Sequence, residues 1–328
     1  MSGLSDPVRP SRPLVLITDC DHPDTDVECA IFAGAGLDVR LANCRTEEDV
    51  LAAGADAVAL LVQYAPISAK VLAGLDRCQV VGRYGVGLDT IDLSAAQTRG
   101  VDVVCVPDYC VHEVSDHTIA LVLSLCRGIT TYDAAVRSGR WAMRERDAVR
   151  RLSTLRLGVI GLGRIGRRVA AKAAALNFEV VCNDVVPPTE SSVPLLSLED
   201  LLTTSDVVTL HVPLTSETYH LIDAPKLALM RPTAVLINTS RGAVVDQVAL
   251  AQAIAEGRLS GAGLDVLEVE PPDPGNPLLL EERVIITPHV AFYSEESLVD
   301  LNRRAAENIV KALANRHLIP DPGDLREL

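Results

Sequence analysis

No apolar run in this chain approaches the ~20 residues that a membrane span requires, although hydrophobic residues make up 48% of it. The longest runs are strand-sized, so a membrane-spanning helix is excluded and a soluble, globular protein is expected. The opening "MSGLSDPVRPSRP" has arginine, serine and proline but lacks the apolar stretch of a secretory signal. It reads as a disordered lead-in to a cytoplasmic protein. The eight cysteines contain no C-x-x-C pair. Most sit in apolar runs, where a thiol behaves as a small hydrophobe, so neither a disulfide framework nor a structural zinc site is expected. Positive charge is in deficit, with 30 lysines and arginines against 44 aspartates and glutamates and a net charge of −14. Such a chain repels phosphate backbones and anionic lipid, so neither nucleic acid nor a membrane is an expected partner. Internal repeats and low-complexity segments are absent, and no linker is richer than the loop "PPDPGNP".

The charge deficit has one local exception. "RSGRWAMRERDAVRRLSTLR" carries Arg137, Arg140, Arg144, Arg146, Arg150, Arg151 and Arg156, and is read as a solvated face or a subunit contact. A part in drawing in an anionic cofactor is the alternative. Aromatic residues are few, at 3%. Tyr64, Tyr84, Tyr109, Phe292 and Tyr293 nevertheless fall at strand ends or in loops, where they would pack a cleft or line a pocket for an apolar substrate tail.

What is present is an alternation. At 328 residues the chain suits two domains. From "PLVLIT" (13–18) through "LDVRLA", "ADAVALLV" and "CQVVGRYG", β-branched runs recur with helix-length segments between them, which implies right-handed crossovers and a parallel sheet. The first hundred residues form one such α/β unit. A second series is expected to begin near "VDVVCV" and to run through "LRLGVIG", "FEVVCND", "DVVTLHV", "TAVLINT", "GAGLDVL" and "RVIITPH". The apolar positions of Ile119 to Cys126 suit a buried helix, and "SLVDLNRRAAENIVKALANR" reads as a long amphipathic helix able to return to the first domain.

The strongest motif is "GLGRIG", with Gly161, Gly163, Arg164, Ile165 and Gly166 placed between a strand and a helical pattern. Gly161 serves a tight turn, Gly163 lets backbone approach a pyrophosphate, and Gly166 permits close helix packing, with the helix N-terminus facing the phosphates. Asp184 ends the next strand, where a carboxylate can accept from a ribose 2′-hydroxyl. The residues that follow it, Val185, Val186, Pro187 and Pro188, offer no base for a 2′-phosphate. NAD is therefore the expected cofactor.

Ligands in open α/β sheets sit outside the carboxyl ends of strands. Those ends carry Arg241 in "INTSRG", Asp265, Glu268 and Glu270 in "LDVLEVEPP", and His289 in "ITPH". Arginine can grip a carboxylate through two parallel hydrogen bonds. Histidine can hand a proton to a carbonyl oxygen as hydride arrives, and a neighbouring glutamate favours its charged form. Glu268 is expected to be a spectator. "HEVSDH" (112–117) lacks a second histidine four after His112, so metal is not expected. "DCDHPDTDVE" (19–28) is explained by helix capping at Asp24 or Thr25 rather than by a bound cation.

Taken in order, "GLGRIG" with Asp184, "VLINTSRGAVVD" (235–246), "GAGLDVLEVEPP" (261–272) and "ITPHVAFYSEES" (286–297) resemble the successive signatures of the D-isomer-specific 2-hydroxyacid dehydrogenases. The resemblance extends through "VVGRYGVGLDTID" (80–92) and "VPDYCVHEVSDHTIALVL" (106–123), so it covers nearly the whole chain. "GRYGVGLD", "VPDYC" and "HVAFYSEES" resemble the C-terminal-binding-protein-like branch most. This implies two doubly wound parallel-sheet domains: a flavodoxin-like substrate domain at 1–105 with 293–328, and an inserted Rossmann NAD-binding domain at 106–292.

The resemblance also implies roles. Arg241 would bind substrate carboxylate and carbonyl, His289 would be the acid/base and reach the cofactor, and Glu270 would be its carboxylate partner. Asp265 would hold the nicotinamide carboxamide. His211, Val212, Pro213 and Thr218 in "HVPLTSET" would line the cofactor site, with Thr239 and Ser240 at the nicotinamide end. The His211 imidazole itself, like those of His22, His220 and His317, is read as structural or exposed. Backbone amides of Gly85, Val86 and Gly87 would cradle the substrate carboxylate, with Arg83 and Tyr84 beside them. The expected function is hydride transfer between NADH and a small 2-oxo or 2-hydroxy acid in a homodimer. The alternatives are an NAD(H)-sensing corepressor-like scaffold and a dehydrogenase for phosphite or another small anion.

Overall fold

The computed structural model describes residues 12–22, 24–143, 149–186 and 193–319. Most of the lead-in (1–11), Arg144 and Arg146 of the arginine-rich stretch, and Pro187 and Pro188 lie outside these residues. Two compact units divide the chain, one running to Tyr109 and resuming at Glu295, the other spanning Cys110–Ser294.

In the first unit, strands β1 (Leu14–Ile17), β2 (Asp38–Leu41), β3 (Ala57–Val62), β4 (Val80–Arg83) and β5 (Asp102–Val104) alternate with helices α1 (Asp26–Gly34), α2 (Glu47–Gly54), α3 (Ala69–Gly74) and α4 (Leu93–Arg99). All strand pairs are parallel, in the order β2-β1-β3-β4-β5. That is the flavodoxin-like order, with its switch point between β1 and β3. Every residue of β3 is buried, as expected of a central strand covered on both faces. Local chemistry sets the helix ends. Thr46 and Asp49 form a reciprocal capping box at α2, and α4 stops at Gly100, which adopts φ +66. Asp24 accepts from the Asp26 amide ahead of α1, while Thr25, the N-cap residue, makes no side-chain capping bond, its hydroxyl meeting Cys29 Sγ instead.

β5 corrects one expectation. "VDVVCV" does not open the second sheet; it is the edge strand of the first, with Val80 facing Asp102 and Gly82 facing Val104. Its periodicity specifies a strand but not the neighbour it joins. Val106 is also buried in the first unit's core, with Tyr109 packed against it, so the chain leaves this unit at Tyr109 rather than at 105.

The second unit starts with α5 (Val111–Arg127) and α6 (Ile129–Arg137). It continues through β6 (Arg156–Ile160), α7 (Arg164–Ala175), β7 (Glu179–Asn183), α8 (Leu198–Thr204), β8 (Val207–Leu210), α9 (Ala224–Leu229), β9 (Val235–Asn238), α10 (Gln247–Ala255), β10 (Gly261–Leu264) and β11 (Val284–Ile286). These strands form an all-parallel sheet in the order β11-β10-β9-β8-β6-β7. Consecutive residues alternate between two apolar clusters, with Val159 and Ile237 in one and Ile160 and Leu236 in the other, so both faces are covered. α5 packs on α7, where Lys172 reaches Ser115 at 2.7 Å and Asp116 at 2.6 Å. No single helix among the described residues is long and apolar enough to cross a membrane.

After the second unit the chain returns as α11 (Glu295–Asn315). Leu301, Ala305, Ile309 and Leu313 repeat every four residues and are buried with Phe32 and Val80 in the first unit's core. Gly82 of β4 permits this approach, since a Cβ there would stand 2.5 Å from Ile309 Cδ1.

Candidate active site

In the second unit the sheet changes winding direction at β6, which lies between β7 and β8. The glycine loop follows β6 directly. Gly161 adopts φ +93, and a Cβ there would lie 2.7 Å from the His211 carbonyl oxygen that follows β8. A Cβ on Gly166 would overlap the Gly161 carbonyl, so the first turn of α7 presses on the loop. Gly163 is different, because an added Cβ would meet no protein atom within 4 Å. Nothing in the fold itself requires glycine there, and close approach of a ligand's phosphates supplies the reason. Asp184 stands one residue beyond β7 and accepts from the Leu162 amide at 2.5 Å and the Val186 amide at 2.8 Å. Each carboxylate oxygen retains a lone pair for a ribose hydroxyl. Val185 and Val186 beside it are exposed and carry no charge. The residues present thus fit a dinucleotide.

Three neighbouring strands, β9, β10 and β11, deliver Arg241, Glu270 and His289 to the same edge of this sheet. His289 Nδ1 lies 2.7 Å from Glu270 Oε2, with both side chains about two-fifths exposed. The other Glu270 oxygen accepts from the Leu267 amide at 2.8 Å. Burial alone would raise the Glu270 carboxyl, but the His289 hydrogen bond and charge, the Leu267 amide and the Arg241 guanidinium outweigh it and hold it below the ordinary carboxylate range. With Nδ1 occupied by glutamate, Nε2 is the ring atom left to exchange a proton. The Phe292 ring stands edge-on to the imidazole, centroids 6.5 Å apart.

Asp265, expected from the sequence to hold the nicotinamide carboxamide, supports this arrangement together with Thr287, His117, Asn238 and Gly242, whose contributions were not read from the sequence. His289 adopts φ +54, a left-handed conformation uncommon for a side-chain-bearing residue, and Asp265 fixes it. The Asp265 carbonyl accepts from the His289 amide at 2.8 Å. Its carboxylate accepts from the Thr287 hydroxyl at 2.6 Å and from the amides of Val290 and Ala291 at 3.0 and 2.9 Å. His117 of α5 joins through Thr287 at 2.9 Å. Asn238, fully buried, binds the Arg241 carbonyl and the Ser240 amide and hydroxyl, which shapes the turn carrying Arg241. A Cβ on Gly242 would strike the backbone of Leu267 and Glu268, so the loops after β9 and β10 lie in direct contact. Glu268, read as a spectator, pairs with His220 at 2.5 Å.

Other expected residues are placed as follows. His211 Nε2 bonds to Thr209 at 3.0 Å, and burial lowers this imidazole to about 3, so it stays neutral. Val212 packs against the core beneath β8. The Thr218 hydroxyl closes its own turn, donating to the Pro213 carbonyl at 2.6 Å and accepting from the Thr215 amide. Thr239 is buried and its hydroxyl meets Thr118 of α5 at 2.9 Å. Of the arginine-rich stretch, Arg137 pairs with Asp133, Arg150 with Asp206 and Arg156 with Glu179. Among the described residues, no three His, Cys, Asp or Glu side chains are grouped to hold a metal ion.

In the first unit, the segment after β4 carries Gly85 at φ +116, overlaid by the Arg83 guanidinium so that a Cβ would collide with it. Val86 is exposed and Gly87 half-buried. Tyr84 departs from the expectation that its side chain borders substrate. It is 2% exposed and turned into the core, with its hydroxyl donating to Glu28 at 2.5 Å. Strand alternation accounts for this: Arg83 and Tyr84 point to opposite faces.

An all-parallel sheet with a dinucleotide loop at its switch point and a histidine–carboxylate pair on the same edge defines a nucleotide-cofactor α/β protein. Comparison with known proteins narrows the class. Residues 119–291 match the model of the D-isomer specific 2-hydroxyacid dehydrogenase NAD binding domain. The chain is 40% identical over 256 residues to the glyoxylate reductase of Korarchaeum cryptofilum, covering 75% of this chain and 76% of that one. It is 38% identical over 316 residues to the D-3-phosphoglycerate dehydrogenase of Mycobacterium bovis, covering 95% of this chain but 58% of the relative's length. The D-lactate dehydrogenase of Aquifex aeolicus, solved with NAD and lactic acid, superposes with a TM-score of 0.83 at 32% identity, covering 93% of this chain and 96% of that one. The chain therefore belongs to the D-isomer-specific 2-hydroxyacid dehydrogenase family. NAD is the cofactor of the matched domain.

Proposed function

We propose that the protein is an NAD-dependent D-2-hydroxyacid dehydrogenase, interconverting a 2-oxo acid, NADH and a proton with the D-2-hydroxy acid and NAD. The observation that carries this reading is the 2.7 Å contact between His289 and Glu270, on the strand-end edge that also carries Arg241 and the glycine loop. When bound, the cofactor supplies or accepts the hydride. Arg241 holds the substrate carboxylate and polarises the adjacent carbonyl. His289 gives a proton from Nε2 to the carbonyl oxygen in reduction and removes it in oxidation. Glu270 orients the ring through Nδ1 and favours its charged form. The amides of Gly85, Val86 and Gly87, with Arg83, are assigned to the carboxylate of the acid.

On the cofactor side, Gly161, Gly163, Arg164, Ile165 and Gly166 hold the pyrophosphate and Asp184 the ribose. Val212, Pro213, Thr239 and Ser240 border the rest. Asp265 is assigned to the loop of His289, and its carboxylate faces inward. Trp141 and Met143 are 89% and 81% exposed, with Ile129 and Val136 of α6 also exposed; apolar surface of this kind is covered in an assembly, here a homodimer. No cysteine forms a disulfide, in keeping with a reducing cytoplasm. The motifs "VPDYC" and "HVAFYSEES" favour the C-terminal-binding-protein-like branch.

A screen of 2-oxo acids with NADH, followed by loss of reduced-cofactor absorbance, tests the proposal. Turnover of at least one 2-oxo acid supports it. Binding of NADH without turnover of any would favour a cofactor-sensing scaffold instead.

A further inference from the structure

The carboxyl edge of the first unit's sheet carries a second polar network beside the segment after β4. Asp19 follows β1 and is 2% exposed. It accepts from the amides of Gln63, Tyr64 and Ala65 at 3.2, 2.6 and 3.3 Å, so the chain leaving β3 is pinned to the chain leaving β1. Two residues on, Asp21 is gripped by Gln63, which donates through Nε2 to one carboxylate oxygen and accepts the Asp21 amide at 2.9 Å. Tyr64 donates its hydroxyl to the other oxygen at 3.0 Å. Asp21 and Tyr64 still face solvent, with 60% of the Asp21 side chain and 51% of Tyr64 exposed.

Register places this pair next to the Arg83–Gly87 segment. Val62 faces Arg83 across β3 and β4, and the Tyr84 amide bonds to the Val62 carbonyl at 2.9 Å. Tyr64 and Gly85 each follow the end of these adjacent, paired strands by two residues. The charge of this edge is lopsided. In segments 18–22, 63–68 and 83–92, Arg83 is the single lysine or arginine, against Asp19, Asp21, Asp89 and Asp92. His22 lies 3.9 Å from Asp21 but adds no cation near neutrality, because burial lowers its imidazole. Burial and the Asp21 charge also raise the Tyr64 phenol to about 12, so it remains a donor.

We propose that Asp21, held by Gln63 and Tyr64, makes this protein select 2-oxo acids with an uncharged tail and reject those bearing a phosphate. The inference rests on the dehydrogenase reading and deepens it. With Arg83 beside the substrate carboxylate, a phosphate on the third carbon would meet the fixed Asp21 carboxylate, and segments 18–22, 63–68 and 83–92 hold no second lysine or arginine to receive it. A hydroxyl at that position can instead donate to Asp21, or to the Tyr64 oxygen, whose proton Asp21 already accepts. Selectivity arises from the repulsive element as much as from the attractive one. It separates this chain by chemistry from the phosphoglycerate dehydrogenases that it resembles at 38% identity.

The test compares 3-hydroxy-2-oxopropanoate with its 3-phosphate ester, using the full chain and NADH, with glyoxylate as the control acid. Wild type is expected to favour the alcohol by at least about 100-fold in kcat/KM, and Asp21→Asn to narrow that ratio by about tenfold or more, chiefly by improving the phosphate ester. Asp21 is exposed, so raising salt from about 0.05 to about 0.5 M should narrow the wild-type ratio by screening; this arm needs no variant to fold. Equal use of both acids by wild type overturns the inference. So does a ratio that neither Asp21→Asn nor salt changes. Failure to reduce glyoxylate or either C3 acid would instead overturn the dehydrogenase reading on which it rests.

Discussion

His289 and Glu270 are joined through Nδ1 and Oε2 at 2.7 Å, although 19 residues separate them and they hang from different strand-end loops. The carboxyl is held below its usual range, so the glutamate presents a negative charge to the ring throughout the neutral range. A general acid must be protonated when the oxo acid binds. Glu270→Gln removes the charge that favours the protonated ring, so the falling, alkaline limb of the reduction profile should move to lower pH. The pair is about two-fifths exposed, so added salt should weaken the effect by screening. A pH–kcat/KM profile of the variant checks this; an unmoved or alkaline-shifted limb contradicts the pairing.

Asp184 carries the cofactor prediction. Its carboxylate would repel a 2′-phosphate, and the exposed neighbours Val185 and Val186 provide no base. NADH should be preferred over NADPH by at least about tenfold, or ~1.4 kcal/mol. Asp184→Ala should narrow that preference, and it should also loosen the glycine loop by removing the Leu162 amide's acceptor. Equal kcat/KM for the two cofactors in wild type would refute the assignment.

Asp265 yields a prediction that separates positioning from contact. Its carboxylate accepts from one hydroxyl and two amides in the loop around His289, and an amide side chain turns an acceptor into a donor facing N–H groups. Asp265→Asn should cost about 1–3 kcal/mol in stability and lower kcat more than it weakens NADH binding. Thermal unfolding together with NADH titration measures both. Wild-type stability with a selective loss of NADH affinity would show that the residue serves the cofactor directly.

What the sequence displayed were features written in a few consecutive residues. Gly161, Gly163 and Gly166 sit between strand and helix because each glycine answers a local backbone demand, and Arg241, Asp265 and His289 fall at strand ends that periodicity marks. Pairings across long separations were hidden. "VDVVCV" carries no signal for which sheet it joins, and the inward turn of Tyr84 toward Glu28 depends on a partner 56 residues away. Likewise His220 finds Glu268 across 48 residues, and the left-handed φ of His289 is set by Asp265 rather than by its own residue type. Asn238 had a readable clue, since a polar residue ending an apolar strand must satisfy its amide within the following turn.

His289 itself provides the most direct test. The His289→Ala variant, first confirmed as folded, should reduce its best 2-oxo acid on the order of 10²–10⁴ more slowly than wild type, the range of a positioned acid/base group. Its NADH affinity should stay near wild type, since the pyrophosphate and ribose contacts lie on the Gly161–Gly166 loop and Asp184. Single-turnover reduction measured beside NADH titration gives both values from one preparation. A variant that turns over as fast as wild type would contradict the catalytic assignment and leave His289 a structural imidazole bound to Glu270.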